Sequence, residues 1–551
     1  MIEIRCKKNK FLYNVYHITK AFFPEQEIRQ TVDEKQEPLV VLELPGGSCF
    51  SLASEDIFPG EGAADIPSGS GLSEKAVDIP SGSSTSEEEA AQIEKRAVTR
   101  KLYQFLAESS GRELAWGTLT GVRPAKLVMK MVEEGKSYEE IIGFLENEYF
   151  VTHQKAELAY EIACREKRLL EKLSSAKARE TEAHEAEQLK AGASEVEHCK
   201  AGASEAEGAA RTQMRASVPK WDENKGFSLY VGIPFCPSVC SYCSFSSSPI
   251  DVWRDRVDGY LDALIKEIRA LGEMTRGRCP DTIYIGGGTP TTLEPEQLRR
   301  LLSEVTENFD LSGTVEFTVE AGRPDSITEE KLRVLKEFPV SRISINPQTM
   351  QQKTLDLVGR KHKVEDVREA YACARRLGFD NINMDLIAGL PGETAEDMRD
   401  TLEKIEEMEP DSLTVHSLAI KRAAKFGQEG RAMDIHTEIS RMVEDAADSA
   451  LKMGLKPYYL YRQKNIAGNF ENVGYAKLDK AGIYNILIME ERQTILAAGA
   501  GASTKILLRE SIRTDKGKEI GLVHVENVKN ITDYIDRIDE MIERKEEMLW
   551  R

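Results

Sequence analysis

No run of apolar residues in this sequence approaches the ~20 that a membrane-spanning helix needs. The opening residues, Met1-Ile2-Glu3-Ile4, lack the apolar stretch of a signal peptide. The expectation is a cytoplasmic chain with no membrane insertion. Positive charge is in deficit: 74 Lys and Arg stand against 93 Asp and Glu, a net charge of −19. Such a balance argues against nucleic acid or an anionic membrane surface as partner, while allowing a local basic pocket. Nine cysteines in 551 residues are too few for a secreted disulfide framework.

What is present includes two low-complexity tracts. Asp65-Ile66-Pro67-Ser68-Gly69-Ser70 recurs as Asp78-Ile79-Pro80-Ser81-Gly82-Ser83, and Lys190-Ala191-Gly192-Ala193-Ser194-Glu195 recurs as Lys200-Ala201-Gly202-Ala203-Ser204-Glu205. Small and charged residues bury too little apolar surface to offset ordering entropy, so disordered insertions are expected at about 50–92 and 176–220. The rest divides into an N-terminal α/β domain over 1–175, a central domain over 225–424 and a C-terminal α+β domain over 425–551. In the last, helices are expected at 435–453 and 530–548.

The central region alternates short apolar strands, at 228–233, 282–285, 314–320, 341–346, 382–387 and 412–417, with amphipathic helices. Six such alternations define a parallel sheet with right-handed crossovers. Strand faces decide between an open doubly wound sheet and a partial barrel. Glu316, Thr318 and Glu320 share one face, as do Arg342, Ser344 and Asn346, Asn383 and Asp385, and Ser412, Thr414 and His416. A sheet covered on both sides would be apolar on both faces; a polar inner face implies a partial (β/α)6 barrel, open around a polar ligand.

Six cysteines are scattered, but Cys236, Cys240 and Cys243 fall within eight residues directly after the first barrel strand. Thiolates are soft ligands. With no fourth ligand nearby, three readings fit: a [4Fe–4S] cluster with one open iron, a zinc ion with a distant fourth ligand, or unliganded thiols. Beyond the second strand lies Gly286-Gly287-Gly288-Thr289-Pro290, whose bare backbone allows close approach of a ligand to N–H and C=O groups.

Cys-x3-Cys-x2-Cys with Tyr242 before the third Cys resembles the signature of the radical S-adenosylmethionine (SAM) superfamily, and the glycine run resembles its SAM-methionine motif. Thr318-Val319-Glu320-Ala321, Arg342 to Gln348, Leu357 to His362 and Asn383 to Thr394 resemble, in that order, the oxygen-independent coproporphyrinogen III dehydrogenases. The resemblance covers about 225–510. Leu119 to Pro124 and Tyr459 to Ala476 are similar to the HemZ-type branch.

The resemblance implies a radical SAM barrel in which Cys236, Cys240 and Cys243 bind a [4Fe–4S] cluster. It further implies that Tyr230, Tyr242, Gly287, Gly288, Thr289, Glu320, Gln348, Arg360 and Asp385 contact SAM. The implied reaction is oxidative decarboxylation of coproporphyrinogen III to protoporphyrinogen IX, with an electron donor such as flavodoxin or ferredoxin. The alternatives are a haem chaperone of the same family and a radical SAM enzyme acting on another tetrapyrrole. Gly232 stands where the main branch has a His, and Asn346-Pro347 replaces Gly-Val before Gln348, so roles tied to that His do not transfer. No catalytic residue is assigned. Arg323, Lys421, Arg422, Arg462, Lys464 and Lys505 are the candidate partners for substrate carboxylates, and Arg123 could reach an anion.

Overall fold

Alternating apolar strands and amphipathic helices bury their apolar faces by stacking helices on a sheet, and the computed structural model of the chain does so twice. It describes residues 1–23, 26–57, 87–119, 123–191, 220–244, 247–418, 435–462, 471–513 and 519–550. They fall into two compact units. One lies within Met1–Pro124, Glu134–Tyr160 and Arg462–Phe470, the other within Ala125–Glu133, Glu161–Tyr461 and Glu471–Arg551.

The first unit begins with β1 (Ile2–Cys6), α1 (Asn9–Phe22), β2 (Ile28–Val32), β3 (Val40–Glu43) and β4 (Cys49–Leu52), in sheet order β2-β1-β3-β4. Phe11, Val15, Ile18 and Phe22 share one stripe of α1 and pack on Ile2, Ile4 and Cys6. Val98, Leu102 and Leu106 of α2 (Glu87–Ser110) complete this core. α3 (Pro124–Glu133) belongs almost wholly to the second unit. Back in the first, α4 (Tyr138–Tyr149) opens with a capping box: Glu140 N–H donates to Ser137 Oγ and Ser137 N–H to Glu140 Oε2. α5 (His153–Ala191) leaves the first unit after Tyr160, so that unit ends short of the expected 175.

The second unit is built on one eleven-stranded sheet. Its centre is β5 (Phe227–Ile233), β8 (Thr282–Gly287), β9 (Glu316–Gly322), β10 (Arg342–Ile345), β11 (Ile382–Ala388) and β12 (Ser412–Ser417), all parallel and adjacent in chain order. A two-residue pair, β6 (Phe235–Cys236) with β7 (Ser248–Pro249), lies in the loop after β5. The connections carry α6 (Val257–Met274), α7 (Pro295–Asn308), α8 (Glu329–Lys336), α9 (Gln352–Leu357), α10 (Val364–Arg376) and α11 (Ala395–Glu406). The central strands and their intervening helices are thus the parallel α/β alternation expected from the sequence.

Three further boundaries differ from expectation. Residues 425–551 do not form a separate domain. After α12 (Ile435–Lys452), β11 and β12 at one end are followed by β13 (Lys456–Tyr461) and β14 (Asn472–Ala476), with β14 antiparallel to β12. After α13 (Ile483–Glu490), β15 (Thr494–Ala498) joins β5 in parallel as a seventh parallel strand, and β16 (Ser503–Arg513) and β17 (Glu519–Glu526) extend that edge. Second, β4 and the start of α2 occupy the ends of the tract expected to be disordered, and α5 continues through 176–191; 58–86 and 192–219 lie outside the described residues. Third, the helix expected at 530–548 is broken into α14 (Ile531–Asp536) and α15 (Ile538–Leu549).

The C-terminal helices are tied to α6 by a buried polar cluster. Lys545 and Glu267, both fully buried, form an ion pair. Glu267 also accepts from Asn527 Nδ2 at 2.9 Å and from the Gly499 amide at 2.9 Å.

Candidate functional site

Strand β5 ends at Ile233, and the three clustered thiols follow at the carboxyl end of the parallel sheet. The loop that carries them is stitched down on two sides. On one, Gly288 N–H donates to Ile233 O and Thr289 N–H to Phe235 O, each at 2.7 Å. A Cβ on Gly288 would lie 2.5 Å from the Phe235 carbonyl oxygen, and Gly287 has φ +109°. Glycine is required here so that two backbones can touch. The amides of Gly288 and Thr289, expected to face a ligand, are thus already engaged by the thiol loop. Thr289 Oγ1 lies 3.4 Å from Cys236 Sγ.

On the other side, Ser241 N–H donates to Val358 O at 3.1 Å and Ser238 Oγ–H to Gly359 O at 2.9 Å. Arg360, 3% exposed, donates from Nη1 to the Tyr242 hydroxyl at 3.0 Å and from Nη2 to Asn346 O at 2.8 Å. Gln348 takes a left-handed φ of 67°, and its backbone bonds on to β11: its N–H donates to Asp385 O, and its C=O accepts from Ile387 N–H, both at 2.9 Å. The turn after Pro347 thereby holds Gln348 beside Asp385.

The polar strand faces read from the sequence meet one another. Tyr284 of β8 donates its hydroxyl to Glu320 at the end of β9. The rings of Tyr230, Tyr284 and Tyr484 stack in succession, with centroids 6.3 Å and 4.6 Å apart. Asn383 Nδ2 donates to Asp385 Oδ1 at 2.7 Å, Thr414 Oγ1–H to Asn383 Oδ1 at 3.2 Å, and Arg342 Nη2 to Ser412 Oγ at 3.1 Å. His416 Nε2 approaches Asp385 Oδ2 at 3.9 Å, while its Nδ1 lies 3.3 Å from the Tyr461 hydroxyl.

The two carboxyl groups are tuned in opposite directions. Burial pushes Glu320 up to about 7, with the Tyr284 hydroxyl and the Gly287 amide opposing it. For Asp385 burial also acts upward, but His416, Asn383 and Arg342 outweigh it and hold the carboxyl below its usual range. At neutral pH one carboxylate is ionised and the other is poised between forms.

Arg323 is relocated by the structure. Rather than meeting a substrate carboxylate, it is 4% exposed and paired two-pronged with Asp325, Nε to Oδ1 at 2.9 Å and Nη2 to Oδ2 at 2.7 Å. Of the other candidate cations, Arg462 is buried in the first unit, donating to Leu119 O at 2.5 Å. Lys505 lies on β16, opposite His524 of β17. Lys421, Arg422 and Lys464 lie outside the described residues, as do Thr120, Gly121 and Val122 beside Arg123.

Sequence reasoning did not find Tyr284, Tyr484 or the partnership of His416 with Asp385. The first shows only as an inward position of a strand, and the others arise from segments far apart in the chain. Cys236, Cys240 and Cys243 are free thiols. Among the described residues no three His, Cys, Asp or Glu group as ligands of a single metal ion. Three soft donors along one loop, backed by a glycine turn, fit a multi-iron cluster in which each sulfur meets its own iron.

Residues 230–405 match the radical SAM superfamily, whose members use a [4Fe–4S] cluster and SAM, and these are the cofactors of this fold. Over 96% of this chain and 95% of the relative, the sequence is 35% identical to the oxygen-independent coproporphyrinogen-III oxidase-like protein HemZ of Bacillus subtilis. The chain belongs to this HemZ-type family. It is also 38% identical to the heme chaperone HemW of B. subtilis, over 36% of this chain and 52% of HemW. To the oxygen-independent coproporphyrinogen III oxidase of Salmonella typhimurium it is 34% identical, over 39% of this chain and 45% of that enzyme. The chain thus spans about half the length of these last two. Among the described residues no helix is long and apolar enough to cross a membrane.

Proposed function

We propose that the protein is an oxidoreductase of haem biosynthesis that decarboxylates the propionate side chains of coproporphyrinogen III to vinyl groups, giving protoporphyrinogen IX. Each conversion removes one hydrogen atom and CO2 from the substrate and passes one further electron to a separate one-electron acceptor. The bound cluster and SAM supply the one-electron chemistry that ends in hydrogen-atom abstraction. An electron donor such as flavodoxin or ferredoxin would feed it.

In this reading Cys236, Cys240 and Cys243 hold the cluster. Gly287, Gly288 and Thr289 border the methionine end of SAM, while Tyr230 and Tyr242 wall its flank. Glu320, Gln348, Arg360 and Asp385 take its polar groups, the ionised Asp385 as an acceptor for hydroxyls. The single observation that carries the reading is the gathering of the three thiols, both tuned carboxyls and the Arg360–Tyr242 pair around the carboxyl ends of one parallel sheet. Barrel-type active sites form at that rim.

The 38% identity to HemW over the shared segment favours a second reading, a haem-binding protein with the same cluster. One anaerobic experiment separates them. The reconstituted full chain, given dithionite, SAM, coproporphyrinogen III and a one-electron acceptor, should release 5′-deoxyadenosine, CO2 and protoporphyrinogen IX. Absence of SAM cleavage together with tight haem binding would favour the chaperone. About four irons per chain are expected, and Cys240→Ala should lose them; full iron retention in that variant would overturn the cluster assignment.

A further inference from the structure

The β9–α8 loop carries an ion pair, its arginine buried and its aspartate at the surface, that the reaction just described does not use. Asp325 grips Arg323 along one edge, through Nε at 2.9 Å and Nη2 at 2.7 Å. The opposite corner of the guanidinium, Nη1, points at the thiol loop. It donates to Ser238 O at 2.9 Å and Ser238 Oγ at 2.7 Å, and lies 3.9 Å from Cys240 Sγ. The pair is neutral overall, but it is a dipole whose positive end is turned to Cys240 and whose negative end is turned away. With 4% of its surface exposed, Arg323 is little screened by water.

We propose that Arg323 is a positioning residue for the cluster: oriented by Asp325, it fixes the Ser238–Cys240 segment and sets the reduction potential by presenting a positive N–H to the Cys240 sulfur. Gaining an electron makes a cluster more negative, so a nearby fixed positive charge and an N–H donor favour the reduced form and raise the potential. Arg suits the task better than Lys, because only a planar fork can be held by a carboxylate on one edge and still donate from the other. Asp325 has two opposed effects. It aims the guanidinium, and its own negative charge partly offsets the charge it aims.

The inference rests on the reading that Cys240 is a cluster ligand, and the test keeps the two apart. Full-length protein is reconstituted anaerobically, iron is counted, and the cluster is titrated potentiometrically with detection by electron paramagnetic resonance, without SAM or substrate. Arg323→Gln should hold iron and titrate lower. The reduced-to-oxidised ratio at a fixed potential should fall about tenfold, which for one electron is about 59 mV. Asp325→Asn keeps the charge at Ser238 while removing its offset, and should titrate higher than the unchanged protein. Arg323→Lys should fall between Arg323→Gln and the unchanged protein.

Opposite displacements by the two single variants are the signature of electrostatic control, which a merely structural role would not produce. If both retain iron and their potentials move together or not at all, the proposal is wrong. If Arg323→Gln takes up no iron, Asp325→Asn decides alone: a rise supports the proposal, and an unchanged or lower value overturns it. If the unchanged protein takes up no iron, the ligand reading itself has failed, and the inference falls with it.

Discussion

Asp385 and His416 stand on neighbouring parallel strands with Oδ2 and Nε2 3.9 Å apart, and Asn383 donates to the other carboxylate oxygen at 2.7 Å. The pair keeps Asp385 ionised at the rim in spite of burial. Asp385→Asn substitutes a donor for half of an acceptor-only group. SAM affinity should fall about tenfold or more, the scale of a lost charge-assisted hydrogen bond. Iron content should stay unchanged. Equilibrium binding of SAM to the cluster-loaded protein, paired with an iron assay, checks both halves.

Glu320 gives a pH signature. Its carboxyl is raised from an ordinary 4.5 to about 7 in the folded protein, so between those values the native state holds a proton that the unfolded chain has released. Stability from this group is therefore fully present below pH ~4.5 and is lost as pH rises through about 7. Glu320→Gln lacks that loss. In thermal unfolding without SAM, the variant should gain on the unchanged protein between pH 5 and pH 8. A constant difference would refute the shift.

Lys545 and Glu267 are a buried pair at the seam between the C-terminal helices and α6. Lys545→Met leaves a carboxylate without its cation in the interior and should destabilise the second unit by about 3–5 kcal/mol. Lys545→Met combined with Glu267→Gln should recover part of that loss. Urea unfolding of the three proteins measures it.

Replacing 58–86 and 192–219 by short Gly/Ser linkers should leave iron content and SAM binding intact, because those repeats carry neither a core pattern nor a ligand. Removing all of 50–92 should cost stability. It deletes most of β4, with Phe50 and Leu52 of the N-terminal core, and the first turns of α2. Thermal unfolding of the two deletions compares them.

Six central strands were legible because each is a short apolar run bounded by turns, and their polar faces were legible because successive side chains of a strand point to opposite faces. The seventh parallel strand was not. Thr494–Ala498 is short and ends in two alanines before Gly499, a composition that reads as a loop. β2 leaves little trace in the sequence for a related reason: Ile28–Val32 has no fully buried position to generate a pattern. The cysteine loop and glycine turn were legible in local spacing. Arg323 was not, since a charged residue in sequence reads as surface, and only its partners 2 and 85 positions away reveal that its side chain is buried. Likewise the merging of the last segments into the central sheet depends on pairings over long separations, which no periodicity encodes.

The placement of β15 sets an order of events during synthesis. β5, which ends two residues before the thiol loop begins, has β8 on one edge and β15 on the other. Its β15 edge has no strand until residues 494–498 emerge, some 260 positions later. At ~5–20 residues per second that is on the order of ten seconds to a minute. Through that interval the nascent chain presents a hydrophobic strand edge beside three free thiols, a combination open to mispairing and oxidation. The strand that leads into the thiol loop is thus flanked on both edges only once residues 494–498 are in place.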